Sequence, residues 1–353
     1  MMKQLSFLFF LSLAFSVSAD VYPGKNWEQK TPEAVGLNQQ RLDELSQLAE
    51  GHGCVVRNGY MVFHWGDESR RIDVASAVKP WYTHFLFKAI EDGKIKDMED
   101  YVARFEPRLN QLNADLHDKD SKIQWRHLAC QTSCYGVRER PGEAYDYSDF
   151  NMALFFDTLF LSVYQSSWER VDEEVLHPLL TDRLGCEDNP TFLAFGIDNR
   201  PGRLAISVRD FARFGLLYLR KGYWNGQQLI RREYAEMATG NPLPNSIPRT
   251  AGESADMIPG QRSIGGGNNQ TDHFGSYSYA WWINGIDREG KRHWPDAHPD
   301  AYGCFGHDGK RAMVVMPDLD LVVCWNDTKI EGREMENQAL KRLTEAAEAA
   351  NNE

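Results

Sequence analysis

The stretch DVASAVKPWY, residues 73–82, places a lysine in a segment that otherwise has the composition of the buried start of a helix. Apolar residues surround Lys79, among them Val78 and Trp81, and they indicate packing against a core. An apolar environment penalises an ammonium group and lowers its pKa. A lysine in this position therefore needs either a partner or a chemical task.

A serine stands three residues before this lysine, which gives the spacing S-x-x-K. If Ser76 starts a helix, Lys79 lies on the same face one turn later. A desolvated lysine there can accept the serine proton and activate the alcohol as a nucleophile, and N–H groups at the helix start can face an oxyanion. On its own, however, the motif is better explained by a capping serine beside a lysine whose head group reaches solvent. Further motifs have to decide between the two.

Both ends of the chain carry strand patterns. Residues 54–66, CVVRNGYMVFHWG, predict a hairpin, because two β-rich runs surround the tight-turn dipeptide Asn58-Gly59. Residues 277–285 and 311–327, YSYAWWING and RAMVVMPDLDLVVCWND, predict further strands. These segments together predict an antiparallel sheet built from both ends of the chain.

Helical patterns flank these strands and fill the middle of the chain. Leucines at helical spacing follow Asn38, and an apolar stripe runs along residues 335–347. Three central segments also have helical spacing of apolar residues: 81–95, 150–164 and 207–222. The expected fold class is α+β, an antiparallel sheet flanked by N- and C-terminal helices, with an inserted and mainly helical lobe.

The first 19 residues predict a secretory signal peptide. A lysine precedes a short apolar run, and small residues lead to a cleavage site after Ala19. No later stretch approaches the roughly 20 apolar residues of a spanning helix, so we expect an exported protein, periplasmic or extracellular, without a transmembrane anchor. The remainder, residues 20–353, is expected to form a single domain, with a sheet lobe over about 20–75 and 275–353 and a helical lobe over about 76–274.

Composition excludes some classes of function. The formal net charge is −12 and no basic stripe appears, so nucleic acid is not an expected partner. Residues 293–308 contain three histidines, but prolines make this segment a loop without a fixed ligand face, so no metal and no other cofactor are expected. Six cysteines match no zinc spacing and are expected to be buried thiols with one or two bridges of open connectivity: Cys54, Cys130, Cys134, Cys186, Cys304 and Cys324.

Two further motifs accompany S-x-x-K. Tyr147-Ser148-Asp149 lies on a predicted turn into a helix, and His307-Asp308-Gly309 at the predicted start of a strand. In order and spacing, the three pieces resemble the S-x-x-K, Y-x-N and K/H-x-G motifs of serine hydrolases of the β-lactamase and penicillin-binding-protein superfamily. They are most similar to its class C branch, which includes D-alanyl-D-alanine carboxypeptidases, esterases and amide hydrolases. The resemblance extends over most of the chain, from about Asn38 to Asp327.

The resemblance implies a role for each matching residue. Ser76 would be the acylated nucleophile, and Lys79 its base or proton relay. Tyr147 would be the second proton-transfer group, and it would titrate together with Lys79 as a coupled pair. His307 would line the cleft and contact substrate or polarise Tyr147. Three further motif residues would contact the substrate or the oxyanion: Asp149, Gly309 and Lys310. The donors to the oxyanion would be the backbone N–H groups of Ser76 and Lys310.

Three residues depart from the family pattern. Asp149 replaces an asparagine, which exchanges an amide that can donate a hydrogen bond for an anion that cannot. Pro80 biases Lys79 away from helical dihedrals, so the Ser–Lys pair is expected on an irregular turn. Lys310 occupies a place that is often small or glutamine, where it would crowd the cleft or bind an anion.

The sequence therefore predicts an exported serine hydrolase that acts through a Ser76 acyl-enzyme on small ester, amide or peptide substrates. Weak or no β-lactamase activity is expected, because the Asp149 anion would face the acyl carbonyl of β-lactams. Two alternatives stay open at this point. One is a D-alanyl-D-alanine carboxypeptidase or β-lactamase, and the other is a catalytically inactive relative that binds cell-wall peptides or an unidentified partner protein.

Overall fold

The structure, a computed structural model, describes residues 20–194 and 200–349. The predicted signal peptide, residues 1–19, lies outside these ranges. Within them, no helix combines the length and the apolar character that crossing a membrane requires.

The chain forms strands near both ends and short strands in its middle. In chain order they are β1 (His52–Arg57), β2 (Tyr60–Trp65), β3 (Ile72–Asp73), β4 (Thr191–Ala194), β5 (Arg203–Ile206), β6 (Tyr223–Trp224), β7 (Gln227–Gln228), β8 (Tyr277–Ser278), β9 (Trp281–Ile283), β10 (Tyr302–Gly306), β11 (Arg311–Met316) and β12 (Leu321–Asn326). Seven of them build one antiparallel sheet in the order β2-β1-β12-β11-β10-β9-β8. This confirms the prediction that both ends of the chain contribute to one antiparallel sheet.

The β1–β2 hairpin turns at the dipeptide that the sequence indicated. Asn58 and Gly59 have φ values of 54° and 81°, the left-handed conformation that a tight hairpin turn requires. Next to the hairpin, β1 pairs with β12 so that Cys54 lies opposite Cys324. All six cysteines are nevertheless free thiols, so the expectation of one or two disulfide bridges is wrong.

Helices cover both faces of the main sheet. In chain order they are α1 (Gln39–Ala49), α2 (Lys79–Glu91), α3 (Trp125–Ala129), α4 (Asp149–Phe156), α5 (Asp182–Leu184), α6 (Val208–Leu219), α7 (Arg232–Gly240) and α8 (Gly332–Ala349). Two π-helical segments, Asp157–Val163 and Asp172–Thr181, add to the helical region between β3 and β8. Helices α1 and α8 bury their apolar stripes together against one face of the sheet. The expected α+β architecture, a sheet with terminal helices and an inserted helical region, is confirmed.

The opposite face of the sheet packs on α6, which in turn holds α2 in place. Phe214 of α6 stacks on Trp81 of α2 with ring centroids 4.4 Å apart, and on Trp281 of β9 at 5.9 Å. Gly215 permits the close approach of α6 to the sheet, since a Cβ there would lie 2.5 Å from Cγ1 of Val322. The position of α2 is therefore fixed by the core rather than by a surface loop.

A second, three-stranded sheet has the order β3-β5-β4. Its strand β3 pairs with β5 in antiparallel register, Ile72 opposite Ile206 and Asp73 opposite Ala205. Beyond this pairing, the N–H of Val74 donates to the carbonyl of Leu204 at 2.8 Å. The small sheet thus anchors the chain immediately before α2.

Candidate active site

The candidate nucleophile lies on a tight turn between a strand and a helix. Strand β3 ends at Asp73, residues Ala75–Val78 form a 3₁₀ turn, and α2 starts at Lys79. Ala75 has a φ of 51°, an uncommon value for a residue with a Cβ, and its N–H donates to the Asp73 carboxylate at 2.9 Å. We call residues 74–79 the Ser76 turn. It places Ser76 at the wall of a large cleft.

Lys79 lies beneath the nucleophile, at the first position of α2. Its Nζ is 2.8 Å from Ser76 Oγ, and its side chain is 1% exposed. The sequence predicted an irregular turn here because of Pro80. A 3₁₀ turn does precede Lys79, but Lys79 itself is helical, with φ −54° and ψ −41°. Pro80 is tolerated because N–H groups in the first turn of a helix have no intrahelical partner.

Asp149 is the counter-ion of Lys79. It begins α4, and its Oδ1 lies 3.1 Å from Lys79 Nζ. Its Oδ2 accepts a hydrogen bond of 2.5 Å from the N–H of Gly266. Both carboxylate oxygens therefore have partners within the protein. Asp149 also lines the cleft, so its expected position facing the acyl carbonyl of a substrate stays a prediction.

The pair is held in its charged form. Burial opposes the charge on Lys79, but the Asp149 carboxylate and the Tyr147 hydroxyl outweigh it, so the pKa of Lys79 is raised. Burial likewise opposes the charge on Asp149, and Lys79 with the Gly266 N–H outweighs it, so the pKa of Asp149 is lowered. The sequence left open whether Lys79 has a partner or a chemical task, and the structure supplies an anionic partner that raises its pKa.

Tyr147 lies on the other side of the lysine. Its ring centroid is 4.4 Å from Lys79 Nζ. The ring packs edge-on against Tyr277 at 5.9 Å and lies 6.1 Å from Trp282. Next in the chain, the Ser148 hydroxyl caps α4 by accepting a hydrogen bond from the Asn151 N–H at 3.0 Å. This cap fixes the turn that presents Tyr147 and Asp149 to Lys79.

The third motif lies on a turn rather than at the start of a strand, which corrects the sequence prediction. Strand β10 ends at Gly306, and β11 starts only at Arg311. His307 and Asp308 have φ values of 46° and 57°. The pKa of His307 is lowered by burial first, and then by the cations of Arg311 and Arg203. These effects favour the neutral form of the His307 imidazole, which lines the cleft.

Lys310 is not brought to the cleft. Its N–H donates to the carbonyl of His307 at 3.3 Å, and its Nζ lies 3.1 Å from a carboxylate oxygen of Glu331. The predicted oxyanion contact through the Lys310 N–H does not fit this geometry, because that N–H already closes the β10–β11 turn. The predicted crowding of the cleft by its side chain does not occur either, because the ammonium pairs with Glu331.

Strand β10 nevertheless approaches the Ser76 turn closely, at Gly306. A Cβ on Gly306 would lie 2.1 Å from the carbonyl oxygen of Val74 and 3.2 Å from the nitrogen of Ala77. Only glycine permits this approach. The last residue of β10 therefore brings the third motif against the turn that holds the nucleophile.

The cleft has a volume of about 830 Å³. Five residues singled out from the sequence line it: Ser76, Tyr147, Asp149, His307 and Gly309. Three charged residues that the sequence did not single out line it as well: Arg203, Arg333 and Glu336. The Arg203 guanidinium is ion-paired with Asp73, directly before the Ser76 turn, and lies 3.4 Å from His307 Nε2. No local motif marks these residues, because they reach the cleft from β5 and α8 through the tertiary fold.

No protein-family model matches the chain. It is similar to an uncharacterized protein of Alkalihalophilus pseudofirmus, 21% identical over 251 residues that cover 61% of this chain and 72% of the relative.

Several solved structures have a similar fold over most of this chain. A protein described as a 6-aminohexanoate-dimer hydrolase from Bacillus anthracis superposes with a TM-score of 0.63 at 15% identity, covering 94% of this chain and 89% of that one. A β-lactamase from Mycobacterium bovis gives 0.55 at 17% identity, covering 88% and 98%. A penicillin-binding-protein homologue from Caulobacter crescentus gives 0.57 at 13% identity, covering 94% and 99%. The chain therefore has the fold of the β-lactamase and penicillin-binding-protein superfamily, which confirms the resemblance inferred from the motifs at the level of the fold.

Proposed function

We propose that the protein is a serine hydrolase that cleaves small esters or amides through an acyl-enzyme on Ser76. The observation that carries this proposal is the 2.8 Å contact between Lys79 Nζ and Ser76 Oγ at the wall of a large cleft. A buried ammonium that donates to a serine hydroxyl can stabilise the alkoxide that forms when a neighbouring base removes the proton. Solved structures of the same fold that are named as hydrolases and as a β-lactamase support the same class of reaction.

Within this proposal, Tyr147 reacts as a phenolate beside the Lys79 ammonium and accepts the proton of Ser76. Lys79 carries a proton already, because Asp149 stabilises its charged form, so it donates to Ser76 Oγ rather than accepting from it. Tyr147 lines the same cleft and contacts Lys79 with its ring. Lys79 then orients the hydroxyl and stabilises the negative charge that develops when the proton leaves.

The reaction then has two stages. Ser76 Oγ bonds to the substrate carbonyl carbon, and the leaving group departs with the proton held by Tyr147. A water molecule next attacks the acyl carbon, gives its proton to Tyr147, and the acid departs as Ser76 recovers its proton. The backbone N–H of Ser76, at the start of the 3₁₀ turn, supplies one donor to the oxyanion.

The substrate class follows from the volume and lining of the cleft. About 830 Å³ accommodates a small molecule, and the lining combines aromatic rings with a few charged groups. Asp149 offers no N–H to the acyl amide of a β-lactam, and its oxygens are taken by Lys79 and Gly266. We therefore propose esters or amides other than β-lactams. The proposal includes export to the periplasm or the medium, with cleavage after Ala19.

Covalent labelling tests the proposal. A fluorophosphonate is expected to form an adduct on Ser76 that mass spectrometry locates, and Ser76→Ala is expected to abolish both the adduct and the hydrolysis of p-nitrophenyl butyrate. Ser254→Ala is the matched control, since Ser254 is exposed, and it is expected to keep both. If Ser76→Ala retains more than about a tenth of the ester hydrolysis, another nucleophile is at work and the proposal is wrong. A protein that is neither labelled nor active would match the inactive alternative.

A further inference from the structure

Two buried polar side chains line the cleft at the level of α8, apart from the Ser76–Lys79–Tyr147 group. Glu336 comes from α8 and is 7% exposed, and His293 comes from the loop before β10 and is 8% exposed. Both contact Trp294, Glu336 by a hydrogen bond and His293 by ring packing at 4.7 Å. Buried polar groups are normally satisfied by hydrogen bonds, so the partners of these two side chains matter.

Glu336 has one partner for its two oxygens. Its Oε2 accepts a hydrogen bond of 3.0 Å from Trp294 Nε1, and within residues 20–194 and 200–349 no group donates to Oε1. Burial raises the pKa of this carboxyl to about 7, and the Trp294 N–H and the Arg333 cation only partly oppose the shift. Asp308 faces the same carboxyl and adds to the shift. A buried carboxyl of this kind gains most from a ligand that brings a positive charge and N–H donors.

His293 supplies a second acceptor. Its ring stacks on Trp282 with centroids 5.4 Å apart and planes 11° apart. Its Nδ1 is buried and has no hydrogen-bond partner among the described residues, so the ring nitrogen that can face a ligand in the cleft is Nε2. Burial, assisted by the Arg333 cation, lowers the pKa of His293 to about 3, so the imidazole is neutral at any working pH. A neutral imidazole always leaves one ring nitrogen as an acceptor.

We propose that Glu336 and His293 form a subsite for a primary ammonium group, so that the cleft prefers ligands carrying an aliphatic amine. An ammonium has three donors and no acceptor, which matches a carboxylate oxygen and an imidazole nitrogen that lack partners. A role of this subsite in substrate selection rests on the proposed hydrolase function. The binding of an ammonium group does not depend on that function.

An anion is the less suitable occupant. Arg333 also lines the cleft, but its guanidinium lies over the ring of Phe274 at 4.8 Å and the residue is exposed. An anion near Glu336 would meet a second carboxylate in Asp308. The two carboxylates of Glu336 and Asp308 therefore favour a cation over an anion at this position.

Titration calorimetry with n-butylammonium tests the subsite, with n-butanol as the uncharged ligand of equal length. We expect saturable binding of the amine and at least tenfold weaker binding of the alcohol. Glu336→Gln, whose side-chain carbonyl can still accept from Trp294, is expected to weaken amine binding at least tenfold. Glu334→Gln is the matched control, because Glu334 is exposed on the same helix, and it is expected to bind the amine as the unchanged protein does.

The pH dependence gives an independent readout. A carboxyl with a pKa of about 7 is mostly ionised at pH 8 and mostly protonated at pH 6, so affinity for the amine is expected to fall roughly tenfold between them. His293→Phe keeps the stack on Trp282 and removes the acceptor, and it is expected to weaken binding severalfold without removing the pH dependence.

Equal affinity for amine and alcohol, or amine affinity unchanged by Glu336→Gln, would overturn the subsite. The titration needs no reaction at Ser76. Amine binding without fluorophosphonate labelling would reject the proposed hydrolase function and support the subsite. Labelling without amine binding would support the hydrolase function and reject the subsite.

Discussion

The Asp149 carboxylate lies 3.1 Å from the Lys79 ammonium, and the two side chains are 9% and 1% exposed. This contact changes how the S-x-x-K motif is understood in this protein. A buried lysine without an anion loses its proton readily, whereas this lysine keeps it. The position that the family pattern gives to asparagine therefore sets the charge of Lys79.

The first prediction concerns stability. Asp149→Asn removes the counter-ion and leaves Lys79 buried without an opposite charge, so unfolding free energy is expected to fall by about 3 kcal/mol or more. Urea unfolding at pH 7 measures it. The double variant Lys79→Met, Asp149→Asn is expected to recover most of the loss, because no charge then stays buried. A loss below about 1 kcal/mol in the single variant would show that the pair contributes no more than a surface ion pair.

The second prediction gives the pH window of this contribution. The pKa of Asp149 is lowered from 3.8, so its contribution is present above that pH and is lost as pH falls through the native value. The pKa of Lys79 is raised from 10.5, so its contribution is present below that pH and is lost as pH rises through the native value. The stability difference between the native protein and Asp149→Asn is therefore expected to be greatest near neutral pH and to shrink below about pH 4. A difference that instead disappeared between pH 5 and 8 would mean that the pair is not charged there.

The third prediction concerns the base. Tyr147→Phe is expected to lower kcat/KM for p-nitrophenyl butyrate by about 100-fold to 10,000-fold, the usual range for loss of a general base, while the fold is kept. Tyr145→Phe is the matched control, because the Tyr145 hydroxyl is buried without a partner among the described residues. It is expected to leave kcat/KM within about threefold of the native value. Near-native activity of Tyr147→Phe would show that Tyr147 is not the base, and Lys79 would then be the candidate.

The fourth prediction concerns the approach of β10 to the Ser76 turn. Gly306→Ala adds a Cβ that would lie 2.1 Å from the Val74 carbonyl oxygen, so the turn or the strand must shift. We expect a loss of ester hydrolysis of at least 100-fold, because a displacement of about 1 Å suffices for that. Gly240→Ala, at a position where an added Cβ meets no atom within 4 Å, is expected to be harmless. The measurement is kcat/KM of both variants, with circular dichroism to check that each is folded. Equal kcat/KM values for Gly306→Ala and Gly240→Ala would contradict the argument.

The sheet and the main contacts of the site could be predicted from the sequence because they depend on local patterns. The Asn58-Gly59 turn and the strand patterns at both ends determined the sheet. The spacing of Ser76 and Lys79 on consecutive turns determined their contact, once α2 was placed in the core. Tyr147 could be included because residues 147–149 resemble the Y-x-N motif of the family.

The rest depended on long-range placement. The charge of Lys79 is set by Asp149, which lies 70 residues away in the chain. His307, Asp308 and Gly309 were expected at the start of a strand, but Gly306 ends β10 and the next four residues form a turn. Glu336 and Arg333 lie on an ordinary amphipathic helix, and only the packing of α8 near Gly309 brings them to the cleft. No local pattern contains that information.

The last prediction concerns β-lactams. The native protein is expected to hydrolyse p-nitrophenyl butyrate faster than nitrocefin, because Asp149 offers no N–H to the acyl amide and its oxygens are engaged by Lys79 and Gly266. Asp149→Asn supplies a donor but also removes the counter-ion of Lys79, so absolute rates are expected to change for both substrates. The informative quantity is therefore the ratio of kcat/KM for nitrocefin to that for the ester, and Asp149→Asn is expected to raise it.

Paired kinetics of the native protein and Asp149→Asn on both substrates at one pH measure this ratio. Asp146→Asn is a suitable control, since Asp146 is buried nearby and does not line the cleft, and it is expected to leave the ratio unchanged. The prediction is wrong if the native protein already prefers nitrocefin. It is equally wrong if Asp149→Asn lowers both activities by the same factor, because Asp149 would then act only through the charge of Lys79 and would not select between substrates.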